Sequence, residues 1–142
     1  MARTLLCEIV TPEAILYTQE VQMVIAATTV GEVGILPLHA PLAATLAPGE
    51  LRLRFGDGSS DWEHFSVSGG YLQVHEDKVI VLADNAVPVS QIDAAHARES
   101  AERITALLAE LPPGADDERD EMIRDLTWAE TQVKVAEKSK AK

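Results

Sequence analysis

The sequence predicts a segregated α+β chain. An N-terminal all-β sandwich or flattened barrel spans residues 1–87, and a C-terminal antiparallel two-helix hairpin spans residues 88–142. Three observations predict it. Before Val87-Pro88, short apolar runs recur with period two between Gly- and Pro-containing breaks. After Pro88 the apolar spacing changes to steps of three and four, and Pro112-Pro113-Gly114 cuts that second pattern in two. Period two is the mark of strands showing one face to a core; steps of three and four mark amphipathic helices.

The strands read in order. Leu5, Cys7 and Ile9 alternate with Leu6, Glu8 and Val10. Val21, Met23, Ile25 and Ala27 form a second set, and Leu51, Leu53 and Phe55 a third, with Arg52 and Arg54 between them. Phe65 and Val67, Leu72 and Val74, then Val79, Val81 and Ala83 complete the series. The breaks carry turn chemistry at Pro48-Gly49, Gly56-Asp57-Gly58-Ser59, Gly69-Gly70 and Glu76-Asp77. Roughly eight to ten short strands at this spacing read as a sandwich or flattened barrel.

In the second region, Ser90 followed by Asp93 resembles a capping box. Ala97, Ala101, Ile104, Leu108 and Leu111 then form one stripe, ended by the two prolines. Asp116 and Asp117 are placed to cap a second helix, whose stripe is Met122, Leu126, Ala129, Val133 and Ala136. Both stripes are narrow and rich in Ala. At about 0.8 kcal/mol per buried CH₂, an Ala in place of a Leu gives up roughly 2 kcal/mol. The composition therefore predicts a thin hairpin, marginal alone, that opens or re-docks with modest effort.

Composition excludes several function classes. A net charge of −11 and a pI near 4.7 argue against nucleic acid as a partner. No stretch is apolar enough to span a bilayer. Met1 to Glu8 reads as neither a signal nor a transit peptide, and the lone Cys7 leaves no internal disulfide; the expectation is a cytoplasmic protein. There is no phosphate-binding glycine loop, nucleophile elbow or dinucleotide fingerprint. His39, His64, His75 and His96 are dispersed, so no metal site is expected. Cys7 reads as a core residue, and the acids at Asp116–Glu121 as a favourable helix start.

Two regions stand out. Gly31 to Leu42, Gly-Glu-Val-Gly-Ile-Leu-Pro-Leu-His-Ala-Pro-Leu, reads as an ordered loop whose only ionisable side chains are Glu32 and His39. It serves equally as a structural crossover or as a contact. At the other end, Lys134, Lys138, Lys140 and Lys142 are four of the five lysines. They either complement the helix dipole or dock on an acidic partner.

The pattern Gly31-Glu32-x-Gly34-Ile35-x-Pro37-x-His39-Ala40-Pro41-Leu42, followed by Pro48-Gly49, resembles the signature of the ATP synthase epsilon subunit family. Gly69-Gly70-Tyr71-Leu72-x-Val74 and Val79-x-Val81-Leu82-Ala83-Asp84-x-Ala86 resemble that family's second block. The resemblance implies a non-catalytic rotor subunit of a rotary ATPase with no cofactor. Its implied partners are the gamma subunit, the membrane ring of c subunits (the c-ring) and the alpha/beta catalytic head. Membrane contact would come only through the ring. With no transit peptide, the expected place is the cytoplasmic face of a bacterial plasma membrane, a plastid-encoded protein being the alternative. Carried onto this chain, Gly31, Glu32, Val33, Gly34 and His39 would touch the c-ring. The hairpin would permit rotation when folded down and block ATP hydrolysis when extended. Arg124, Lys134 and Lys138, with the terminal lysines, would then meet acidic segments of the beta subunits.

Some members bind ATP through Ile/Leu-Asp-x-x-Arg-Ala, giving the alternative of a regulatory module that senses nucleotide through the hairpin. Here the motif reads Ile92-Asp93-Ala94-Ala95-His96-Ala97. Ile92, Asp93 and Ala97 match, but His96 replaces the arginine. Losing one charge-assisted hydrogen bond costs about 1.5–3 kcal/mol. Arg98 is rotated by about 200° along the helix, which speaks against simple replacement and against ATP sensing at physiological concentrations.

Overall fold

The computed structural model describes residues 3–140, and side chains through residue 138. Lys142 and the side chain of Lys140 lie outside the described residues. Nine strands come first: β1 (Leu5–Val10), β2 (Ile15–Val21), β3 (Met23–Thr28), β4 (Gly31–Ile35), β5 (Leu42–Arg54), β6 (Trp62–Val67), β7 (Gly70–His75), β8 (Lys78–Ala83) and β9 (Ala86–Pro88). A 3₁₀ turn at Val89–Gln91 leads into α1 (Ala94–Glu110) and α2 (Asp116–Lys140).

The long strand β5 makes the sandwich. Its first half, Leu42–Leu46, pairs with β7, and its second half, Gly49–Arg54, pairs with β6. One layer therefore runs β2-β1-β8-β7-β5, and the other carries β4, β3, β6 and β9 around the far half of β5. Pro48-Gly49, expected to be a turn between strands, is instead a corner inside β5. Opposite it the β3 register jumps, from Ala26↔Leu51 to Thr28↔Leu46. Pro48 has no N–H for the ladder, and a Cβ on Gly49 would sit 3.0 Å from the Ala27 Cβ. Both residues therefore suit an irregular corner.

The second alternating set also differs from expectation. Val21 is buried, but Met23, Ile25 and Ala27 are only half-buried, and the inward residues of β3 are Val24, Ala26 and Thr28. A break at Gln22 shifts the phase by one, and a one-residue shift exchanges the two faces of a strand. Phe55 lies just past β5 and is exposed. The other predicted inward residues hold: Leu5, Cys7, Ile9, Leu51, Leu53, Phe65, Val67, Leu72, Val74, Val79, Val81 and Ala83 form one buried cluster. Burial pushes the Cys7 thiol up from 9.0 to about 12, with the Glu8 carboxylate adding to the shift. Tyr17 packs edge-on against Phe65 at 5.4 Å.

The α1 cap is Asp93, whose carboxylate accepts from the His96 N–H at 3.0 Å. Ser90, the expected cap, lies in the preceding 3₁₀ turn. The reversal uses Gly114 at a φ of 94°. The stripes meet as expected, with Ala97, Ala129 and Ala136 buried. However, α2 has a second buried face, Thr131 and Val135, which packs on β5 and β6. Among the described residues, no helix is long and apolar enough to cross a membrane.

Candidate functional site

The Gly31–Leu42 stretch is half strand and half loop. Gly31, Glu32, Val33 and Gly34 belong to β4, paired with β3 through Glu32↔Ala27 and Gly34↔Ile25. The β3–β4 turn is tied down by the Thr28 hydroxyl, which donates to the Gly31 carbonyl at 2.6 Å and accepts from the Val30 N–H at 3.3 Å. Gly31 has a φ of 116°, which a side chain would resist. Val30 at the tip is 88% exposed.

His39 lies beyond the other end of β4, so about 13 Å of strand separates its loop from Glu32. The single-loop expectation fails because the alternation Glu32-Val33-Gly34-Ile35 continues the sheet. The His39 loop is stiff all the same. The Leu38 N–H donates to Asp77 Oδ1 at 2.7 Å, and the His39 N–H donates to the Leu36 carbonyl at 3.2 Å. His39 Nδ1 lies 2.7 Å from the Ala40 carbonyl, a hydrogen bond made by the tautomer that carries its N–H there. Leu36 and Leu38 are exposed on the same loop.

A charged cluster lies where α2 meets the outer face of β5 and β6. Glu50 carries a carboxylate only 7% exposed. Its Oε2 receives His64 Nδ1 at 3.0 Å, while its Oε1 faces Lys138 Nζ at 3.3 Å and Arg52 Nε at 3.5 Å. Arg52 also donates to Glu32 Oε1 at 2.9 Å. The Oε1 contacts are close in charge but lack hydrogen-bond alignment, so this oxygen has no hydrogen-bond partner among the described residues. The fully buried Ser66 hydroxyl, opposite Glu50 in the ladder, has none either. A cleft of ≈ 880 Å³ opens beside the cluster, lined by Glu32, Glu50, Arg98, Lys134 and Lys138.

Of the predicted partner-contact cations, Lys134 and Lys138 therefore face the sandwich, and Arg124 is exposed farther up α2. The nucleotide motif borders two clefts, with Asp93 at the edge of both. Ile92 and Asp93 border a cleft with Arg98, whose guanidinium donates to Glu137 Oε1 at 2.6 Å. Asp93 also lines the groove on the other side, with His96, Ala97, Arg103 and Trp128. Arg98 thus reaches the Ile92–Asp93 cleft despite its rotation along the helix, because the cleft opens toward α2. Among the described residues no group of His, Cys, Asp and Glu is placed to hold a metal.

Sequence reading missed Glu50, His64 and Ser66. Outward polar positions on a strand normally face water, and nothing local marks the ones a distant helix will cover. The available signal was the ladder itself: Arg52 pairs with His64 and Glu50 with Ser66, which puts two charges, an imidazole and a hydroxyl on one outer face.

Residues 4–89 match the family described as ATP synthase, Delta/Epsilon chain, beta-sandwich domain. The ATP synthase epsilon chain 2 of Syntrophotalea carbinolica is 40% identical over 136 residues, 96% of each chain. The ATP synthase epsilon chain of Dehalococcoides mccartyi is 41% identical over 134 residues, 92% of this chain and 91% of the other. A chain of the Euglena gracilis mitochondrial ATP synthase shares the fold, with a TM-score of 0.75 at 20% identity over 98% of this chain and 82% of that one. Likeness over sandwich and hairpin together exceeds a shared module: the chain belongs to the ATP synthase epsilon chain family.

Proposed function

We propose that this chain is a non-catalytic rotor subunit of an F-type ATP synthase, peripheral on the cytoplasmic face of a bacterial plasma membrane. It couples the gamma subunit to the c-ring, and its hairpin inhibits ATP hydrolysis when it leaves the sandwich. The sandwich is the attachment domain and the hairpin the regulatory one. The β3–β4 turn and β4, through Gly31, Glu32, Val33 and Gly34, bear on the polar loops of the ring, with His39 contributing from the far end of the strand. A turn pinned by a threonine hydroxyl transmits torque without a large contact area. Once extended, the hairpin brings Arg124, Lys134 and Lys138 to acidic segments of the catalytic head.

The observation that carries the regulatory half is the chemistry of the docked layer. A face that buries Glu50, Ser66 and Thr131 loses little on separation, because water satisfies its polar groups. The test is ATP hydrolysis by the catalytic head with gamma, reconstituted with the full chain or with a chain ending at Ile92, which keeps β9 intact. The expected result is that both bind and only the full chain slows hydrolysis. Equal rates with both bound would make the hairpin a passive clamp.

A further inference from the structure

Lys138 is one of the cations assigned to an acidic partner, yet in this conformation it is already engaged by an acid of its own chain. Glu50 holds it from β5, almost buried, with Arg52 and His64 fixing the carboxylate from the sandwich side. The sequence separation of the pair, β5 to the last turns of α2, means that this contact exists only while the hairpin is docked. Neighbouring carbon contacts do not lock the layer by themselves. Among the described residues, the buried α2 residue facing the sheet besides Val135 is Thr131, and the sheet answers with a Ser66 hydroxyl that has no hydrogen-bond partner there.

We propose that Glu50 is an internal decoy for the acidic surface of the catalytic head, and that release of Lys138 from Glu50 is the step that frees the hairpin. This rests on the inhibitory reading above and names its control. One cation has two acidic claimants, and it can serve only one at a time. Docked, Lys138 belongs to Glu50 and is withheld from the head. Extended, it is available to the head, and the carboxylate it leaves behind keeps Arg52 and His64 and takes up water. Among the described residues the carboxylate lacks an aligned hydrogen bond on Oε1, so hydration offsets part of what separation costs. Arg52, shared between Glu32 and Glu50, keeps the seat assembled in both states. Lys134 lines the same cleft and follows Lys138 out of it. A half-exposed pair of this kind is screened by salt, so ionic strength loosens the latch.

The experiment uses the full chain, labelled for distance measurement at Asp57→Cys on the sandwich and Leu107→Cys on α1, both exposed positions; the buried Cys7 stays out of the labelling. Glu50→Gln and Lys138→Met are each expected to raise the open fraction about fivefold, the scale of a partly exposed ion pair. The double variant is expected to be no more open than either single one. Salt at 0.5 M, roughly a 4 Å screening length, is expected to open the wild type and leave the double variant unchanged. Unchanged opening in both single variants, or effects that multiply in the double, would overturn the latch; Lys138→Met keeps that outcome readable should Glu50→Gln disturb β5. Hydrolysis by the head with gamma is read alongside. Greater opening by Glu50→Gln with undiminished hydrolysis leaves the latch standing and removes the inhibitory reading. Inhibition by the full chain with opening indifferent to Glu50 and Lys138 does the reverse.

Discussion

The layer inside the sandwich and the layer between sandwich and hairpin are written on the same two strands. Inward from β5 and β6 point Leu51, Leu53, Phe65 and Val67; on the opposite faces stand Glu50, Arg52, His64 and Ser66. The first set is closed by aliphatic residues of every other strand in the core cluster. The second is closed by one helix that supplies Val135, Thr131 and a lysine. Apolar burial is stabilising whatever its partner, at about 25 cal/mol per Å². Paired charges are stabilising only in the arrangement that pairs them, and exposed pairs contribute little. One layer is therefore permanent and the other conditional, although two strands and an alternation of period two produce both.

The largest expected contrast is chemical access to Cys7. Its thiol ionises near 12 in the fold rather than at 9.0, from burial first and the Glu8 charge second. At neutral pH the folded thiolate population is then smaller by about a thousandfold. Alkylation of the native chain should be slower than that of the denatured chain by at least this factor, measured by mass shift over time. The linkage has a definite sign. Below 9.0 the thiol is neutral in both states; above it the unfolded chain ionises while the folded chain does not, so stability falls as pH rises from about 9 toward about 12. Tyr17, raised from 10.0 to about 12 by burial and then by Glu63 and Cys7, acts in the same direction. Rapid labelling of the native chain would place Cys7 in the conditional layer.

Next in size is the cost of a cavity. Leu72→Ala, in a side chain with no exposure, should cost about 3 kcal/mol in denaturant unfolding followed by far-UV signal. Val135→Ala removes apolar atoms from the other layer. It should cost about 1 kcal/mol and should show in hydrogen exchange of α2 while β-sheet amides keep their protection. Equal losses, or loss of sheet protection in Val135→Ala, would mean that the two layers unfold together and that the hairpin does not move independently.

The difference between the layers also explains what could be read beforehand. Alternation is local, so Leu5-Cys7-Ile9 or Val79-Val81-Ala83 declares its inward face without help from the rest of the chain. The β3 shift came from a single residue, Gln22, that breaks the strand without Gly or Pro to announce it. Pro48-Gly49 carried true turn chemistry, but a bulged corner in one long strand uses the same residues as a turn between two. The hairpin stripes were legible because the helix period is local as well. Thr131 and Val135 were not, since their partners are two strands some 65–85 positions away in sequence. Glu50 looked like a solvated strand residue until a helix was laid over it.

The smallest effect sharpens the boundary between the layers. Glu32 reaches Arg52 from β4 at 2.9 Å, but its side chain is 54% exposed. Arg52, only 18% exposed, keeps the Glu50 carboxylate at 3.5 Å if Glu32 is neutralised. Glu32→Gln should therefore change stability by less than about 0.5 kcal/mol, a shift of under about 2 °C in thermal midpoint, and should leave hairpin opening as it was. A loss comparable to Val135→Ala would show that Arg52 needs both carboxylates to hold its position. In that case the conditional layer would extend from Lys138 through Glu50 and Arg52 to the β3–β4 turn, joining the hairpin's seat to the surface proposed to meet the ring.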